Sequence, residues 1–228
     1  MFREPPPRSG SLFFRHHRRV PAPIKIQPIS CIFRLFALSL QINYRGMTFD
    51  DITGDGRLWA VRYDGANDNE LFRLFDQWND VLWLRKFFKE NINDLSTYFK
   101  ITDINQAIID TIEDSEILEG VILDISPEAD LDLLFRPLSN NRTIAEMLEK
   151  MKTRGERTNC HDSWLRIYAI RLADGKYIIT GGAIKLTATM QERPHTQLEL
   201  DKIEKVRCFL LDEGIVDDEG FIDYISEL

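Results

Sequence analysis

The sequence predicts an α+β fold, and three observations predict it. Two β-branched and aromatic runs, "WLRIYAIRL" and "KYIITGGAIKLT", flank Asp174-Gly175, the signature of a β-hairpin closed by a two-residue turn. Two longer stretches, from Asn67 to Glu90 and from Thr102 to about Pro127, place apolar residues at spacings of three and four, the period of a helix. The chain has 228 residues of which 43% are hydrophobic, enough to bury a core.

The chain opens on a different kind of sequence. Residues 1–46 carry eight Lys or Arg and one acid, Glu4, a net +7; the whole chain stands at −8, which leaves −15 for residues 47–228. Proline clusters, paired histidines and arginines, and the lack of any period predict a disordered basic leader. The run "CIFRLFALSLQI" after that basic flank imitates a secretory signal, but Arg34 interrupts it and no small-x-small site follows. It is also too short to cross a bilayer. The reading is a leader translated from an upstream start, with Met47 as the working start of a single cytoplasmic domain, 47–228. Three scattered cysteines, Cys31, Cys160 and Cys208, form no CxxC or CxH pair, so neither a metal knuckle nor a disulfide framework is expected.

From Met47 onward the elements follow in order. "GRLWAVRYDG" alternates and ends in Asp64-Gly65, a strand closing in a turn. "DNELFRLFDQWNDVLWLRKFFKEN" is helical, with Asn67 or Asp68 as N-cap, and "DINQAIIDTIEDSEILEGVILDI" continues in the same style from Thr102 or Asp103. Between Ile101 and Leu133 there are ten acids and no Lys or Arg, a solvated helix face or a surface that repels nucleic acid and attracts a basic partner. "NRTIAEMLEKMKTRGER" is predicted to be a looser helix, which makes about 100–155 a helical insertion. "ERPHTQLELDKIEKVRCFLLDEGI" is a helix with Thr196 as N-cap, Glu199 completing a capping box and Gly214 as C-terminal cap.

Counting back from a tight turn at Asp174-Gly175 sets the hairpin register. Ala173 faces Lys176, Tyr168 faces Gly181, Arg166 faces Ala183 and Trp164 faces Lys185. Side chains alternate faces, so Trp164, Arg166, Tyr168, Ile170, Ile179, Ala183 and Lys185 share one face. Leu165, Ile167, Ala169, Ile178, Ile184 and Leu186 form the other, an aliphatic face that should pack on helices. Gly181 and Gly182 leave either a shallow gap under Tyr168 and Ile167 that admits a substrate backbone, or a bulge or close helix contact.

Several chemistries are excluded by spacing. Gly181-Gly182 and Lys185 do not satisfy GxxxxGK[ST], "GDGRL" at Gly54 is too short for a dinucleotide fingerprint, and GxSxG is absent. Cys160-His161 with a remote His195 is no zinc set, and no metal or other cofactor is implied. What remains is a cationic group at the hairpin and its outlet: Arg166, Lys185, Arg193 and His195, with Tyr168 between them. Phosphodiester chemistry needs such groups, because charge develops on the non-bridging and leaving oxygens and fixed donors stabilise it. A histidine can move the proton at neutral pH.

The order "LFRPLSN", "SWLRIYAIRLADGKYIITGGAIKLT", "ERPHTQLELDKIEKVRCFL" resembles the RelE/ParE/HigB superfamily of bacterial toxins, especially its phage-derived branch. Leu165-Arg166-Ile167-Tyr168 matches that family's arginine-bearing strand. Ala183-Ile184-Lys185-Leu186-Thr187 matches the strand ending before a lysine, and His195-Thr196 with Glu199-Leu200 the following helix. The match covers roughly residues 133–212. The resemblance implies a small twisted antiparallel sheet with helices packed on one face, extended here by extra helices. It implies that Arg166 and Lys185 neutralise a scissile phosphate, Arg193 assists and His195 is the acid or base, with Tyr168, Gly181 and Gly182 lining the substrate. Its lysine pair is reduced to one, since Leu186 replaces the second. The implied activity is metal-independent cleavage of messenger RNA on the ribosome, as the toxin of a toxin-antitoxin module whose helix-turn-helix antitoxin is the partner. The competing expectation is a non-catalytic interaction protein of a mobile element that docks through its acidic helices.

Overall fold

The structure, a computed structural model, describes residues 46–123, 130–138, 148–155 and 161–227. The basic leader, Cys31, Cys160 and most of "NRTIAEMLE" lie outside the described residues.

Six strands form one sheet: β1 (Met47–Asp51), β2 (Leu58–Tyr63), β3 (Arg136–Pro137), β4 (Lys150–Arg154), β5 (Leu165–Ala173) and β6 (Lys176–Ile184), in the order β1-β2-β6-β5-β4-β3. The helices are α1 (Glu70–Asn79), α2 (Val81–Glu90), the single turn α3 (Ile92–Asp94) running into a π-helical turn at Leu95–Phe99, α4 (Ile104–Leu123), α5 (Leu131–Leu134), α6 (Pro194–Asp212) and α7 (Asp218–Ser226). The class is α+β.

Three features of the expected architecture are corrected. First, the sheet is larger and mixed, because β2 and β6 pair in parallel through Leu58–Tyr177, Trp59–Ile178 and Ala60–Ile179. Second, helices cover both faces. Ile167, Ala169, Tyr177 and Ile179 bury into one core with Leu71, Leu74 and Trp78 of α1 and Phe88 of α2, whereas Ile170, Ile178, Val61 and Trp59 meet Ile203, Val206 and Leu210 of α6 and Phe221 of α7. A central sheet apolar on both sides has to be covered on both. Third, residues 150–154 are a strand between β3 and β5, not the end of a helix: Met151 and Thr153 are buried while Lys150, Lys152 and Arg154 point the other way, a period of two.

Local chemistry sets the helix boundaries. Asn69, rather than Asn67 or Asp68, caps α1 by accepting from the Phe72 amide at 3.1 Å, and its amide nitrogen donates to Asp50 of β1. Asp80 ends α1 and caps α2, accepting from the Leu82 and Trp83 amides, so the predicted helical region is two helices. Asp103 accepts from the Asn105 amide at 2.8 Å and starts α4, one of the two caps expected. α6 begins at Pro194, two residues before the predicted cap; the Thr196 hydroxyl donates to the Met190 and Arg193 carbonyls. Gly214 closes α6 with φ +78°, the left-handed residue that a glycine cap supplies.

The hairpin register agrees with counting at both ends: Ala173–Lys176, Tyr168–Gly181 and Arg166–Ala183 are partners. Between them two irregularities cancel, so Ala169 pairs with Ile179 and Ile170 with Ile178. That one-residue slip, taken up at a bulge by Thr180, turns Ile179 into the α1 core and Ile178 into the α6 core, the reverse of the simple alternation. Trp164 likewise leaves its predicted face. It precedes the strand and buries against Phe88, Phe99 and His161, with its indole N–H donating to Thr111.

Candidate functional site

Two rows of side chains run across the strands on the α6 face. Arg136, Lys152, Tyr168 and Gly181 are successive partners from β3 to β6, and Arg154, Arg166 and Ala183 form the next row. Lys185 follows at the end of β6, where its amide donates to the Trp164 carbonyl at 2.8 Å. Five cations therefore share one surface. Burial, then the charge of Arg166, lowers the affinity of both Lys152 and Lys185 for their protons, and burial with Arg154 and Arg136 lowers that of Arg166. Like charges held this close, each pushing against the next, are what a bound anion relieves.

Their present hydrogen bonds are mostly to backbone carbonyls. The Arg166 guanidinium donates to the Ser163 and Leu165 carbonyls at 2.6 and 2.7 Å, Lys185 to those of Thr187 and Ala188, and Lys152 to that of Leu138. Arg154 meets Asp162 at 3.5 Å on the surface, a weak pair. Among the described residues Arg136, Lys152, Arg166 and Lys185 have no carboxylate within ion-pair distance.

The sequence-predicted residues divide. Arg166, Lys185 and Tyr168 converge here. His195 is tethered to the same strand end but turned toward α2: its Nε2 donates to the Ile184 carbonyl at 3.0 Å, its ring is edge-on to Phe87, and the charges acting on it are those of Asp94 and Arg193. Burial holds its proton affinity below that of a free histidine despite that bond. The neutral imidazole protonated on Nε2 has Nδ1 as its acceptor, which suits a base. Arg193 belongs elsewhere: its Nε and Nη2 grip both oxygens of Asp94 at 2.6 and 2.5 Å, a fork already filled by a carboxylate.

Gly181 and Gly182 are not a gap. A Cβ on Gly181 would stand 2.0 Å from Glu199 Oε2, and one on Gly182 would stand 2.7 Å from Leu74 Cδ1 and 2.5 Å from the Arg166 carbonyl. The pair lets α6 and α1 close on the strand from opposite sides. Glu199, expected as half of a capping box, instead lies where β2 and β6 diverge beyond their three paired residues. Lys202 bridges its Oε1 and Glu70 Oε2, each at 2.9 Å, Arg73 grips both oxygens of Glu70, and the Tyr63 hydroxyl donates to the Thr180 carbonyl. Glu199 Oε2 and the Tyr168 hydroxyl are both buried without a hydrogen-bond partner. Burial raises the proton affinity of the Glu199 carboxyl, with Lys202 opposing and Glu70 adding to the rise.

Arg136, Lys152, Arg154 and Glu199 are the residues that sequence reasoning missed. The signal for two of them, Lys152 and Arg154, was the alternation Lys150-Met151-Lys152-Thr153-Arg154, a basic strand face read as helix.

No protein-family model matches the chain, and comparison with curated proteins and with solved structures finds no match. Among the described residues no group of three or more His, Cys, Asp or Glu is placed to hold a metal ion, and no helix is long and apolar enough to cross a membrane.

Proposed function

We propose that this protein is the toxin of a bacterial toxin-antitoxin module, a RelE-like metal-independent endoribonuclease that cuts messenger RNA on the ribosome and is neutralised in the cytoplasm by a helix-turn-helix antitoxin. The observation that carries it is the convergence of Arg136, Lys152, Arg154, Arg166 and Lys185 on one sheet face beside the strand end that anchors His195. The motif resemblance over residues 133–212 supports the same reading.

In this proposal Arg166 and Lys185 hold the non-bridging oxygens of the scissile phosphate and stabilise the charge that grows there. Their present acceptors are backbone carbonyls, which a phosphate replaces with a stronger, charge-assisted partner. His195 Nδ1 removes the proton from the attacking 2′ hydroxyl. A new P–O2′ bond forms, the P–O5′ bond breaks, and the 5′ oxygen leaves in the field of the cations to take a proton from solvent. Arg193 stays in its pair with Asp94 and contributes by holding the segment that leads into α6.

Expression of residues 47–228 is expected to arrest bacterial growth and cleave messenger RNA, and Arg166→Ala with Lys185→Ala to restore growth. A wild-type protein that is harmless and leaves RNA intact removes the reading.

A further inference from the structure

α4 carries apolar residues on both of its faces. Its inward face buries Asp110, Thr111, Asp114 and Ser115 along with Ala107, Ile108, Leu118 and Ile122. Its outward face exposes Ile109, Ile117, Val121 and Leu123, at 49%, 40%, 39% and 43%. Ile109, Glu113, Ile117 and Val121 recur at intervals of four and so form a single line along the helix. Isolated exposed aliphatics are ordinary, but a helix apolar on both sides is one that expects cover on both.

The charge around that line identifies the cover. Residues 101–133 carry ten acids and no Lys or Arg; Asp110 and Asp114 among them face inward, and on the outward side the exposed Glu113 stands within the aliphatic line and the exposed Glu116 beside it. A second copy of the chain set against this face would oppose acid to acid, and nucleic acid would be repelled. A 20-residue helix is a straight edge of about 30 Å whose four-residue spacing matches the ridges of another helix. We propose that the outward face of α4 is the docking surface for a basic amphipathic helix of a partner protein. Apolar residues of the partner seat along Ile109, Ile117 and Val121, and its Lys or Arg side chains meet the flanking acids. The surface stands apart from the cationic face, so this proposal does not rest on the phosphodiester reading.

The test uses the full chain and two labelled synthetic peptides of about 18 residues, long enough to form a helix on binding. One has leucines at the helical period with lysines elsewhere; the other replaces every lysine by glutamate. By fluorescence anisotropy the lysine peptide is expected to bind and the glutamate peptide to bind at least about tenfold more weakly. Ile117→Ser with Val121→Ser is expected to weaken binding about tenfold, the scale of burying one aliphatic side chain fewer. Glu113→Lys with Glu116→Lys should do the same, while Arg166→Ala with Lys185→Ala leaves it unchanged. All four α4 positions are exposed, and melting temperatures measured alongside separate lost binding from lost folding. Equal binding of the two peptides, no binding of either, or indifference to the α4 substitutions overturns the proposal. Self-association of the chain that Ile117→Ser abolishes also overturns it and assigns the face to a second copy.

Discussion

At Gly181 one methyl group is enough to test how the carboxylate network is held. The Glu199 oxygen occupies the space of the missing side chain, so Gly181→Ala forces the carboxyl away from Lys202 and is expected to cost about 2 kcal/mol, the scale of overpacking a closed site. In a Glu199→Ala background the same change should cost less than half as much, and urea unfolding of the four proteins in a double-mutant cycle measures the coupling. The pH dependence follows from the direction of the Glu199 shift. Its proton is held more tightly folded than unfolded, so at low pH both states carry it and nothing is lost. As pH rises from the ordinary glutamate value through the raised folded value, the charge must be buried and stability falls. Glu199→Gln removes that loss. Its melting temperature relative to wild type should therefore increase from about pH 4 to about pH 8, and a decrease would mean that Lys202 and its neighbours stabilise the charged carboxylate.

Among the elements, α4 is locked to the start of β5 by a small buried cluster. His161 Nε2 lies 3.1 Å from Asp110, its ring stacks on Trp164 with centroids 4.2 Å apart, and the Trp164 indole donates to Thr111. Asp110→Ala removes the acceptor that His161 and Gln106 share and is expected to cost about 2 kcal/mol, with the loss of near-ultraviolet circular dichroism from Trp164 as its signature. Neither side of that lock was legible in the sequence, because Asp110 read as one more acid on a solvated helix and His161 as half of a weak zinc pair. The hairpin was legible, since Asp174-Gly175 fixes a turn and the register follows by counting. What counting cannot see is the compensated slip at Thr180, which leaves both ends in place and exchanges the faces of Ile178 and Ile179. β4 was missed for a related reason: five residues of alternating pattern are outweighed by a longer helical run before them. Arg166, Tyr168 and Lys185 were found from the hairpin, and Arg136, Lys152 and Arg154 stayed hidden with the strands that carry them.

Over the whole molecule, a net charge of −15 on residues 47–228 argues against a nucleic-acid surface only if charge is spread evenly. It is not: residues 101–133 hold ten acids without a cation, while β3, β4, β5 and the end of β6 bring five cations to one face. The step from β3 to β5 is about 10 Å across two strand spacings, enough for more than one backbone phosphate. On the phosphodiester reading, a single-stranded oligodeoxynucleotide, which lacks the 2′ hydroxyl and resists cleavage, should bind with an affinity that falls steeply with salt. Contact with three phosphates predicts a slope of about −2 in log K against log salt. Lys152→Ala should flatten that slope by about 0.7, the share of one phosphate contact on a single strand. Arg193→Ala should leave it unchanged, because that guanidinium is already committed to Asp94. Reversing Glu113 and Glu116 to lysine raises the net charge by four yet should also leave the slope unchanged, since the number of phosphates in contact is set at the cationic face. A slope that responds equally to substitutions on either face would mean that net charge, rather than the Arg166 surface, governs binding.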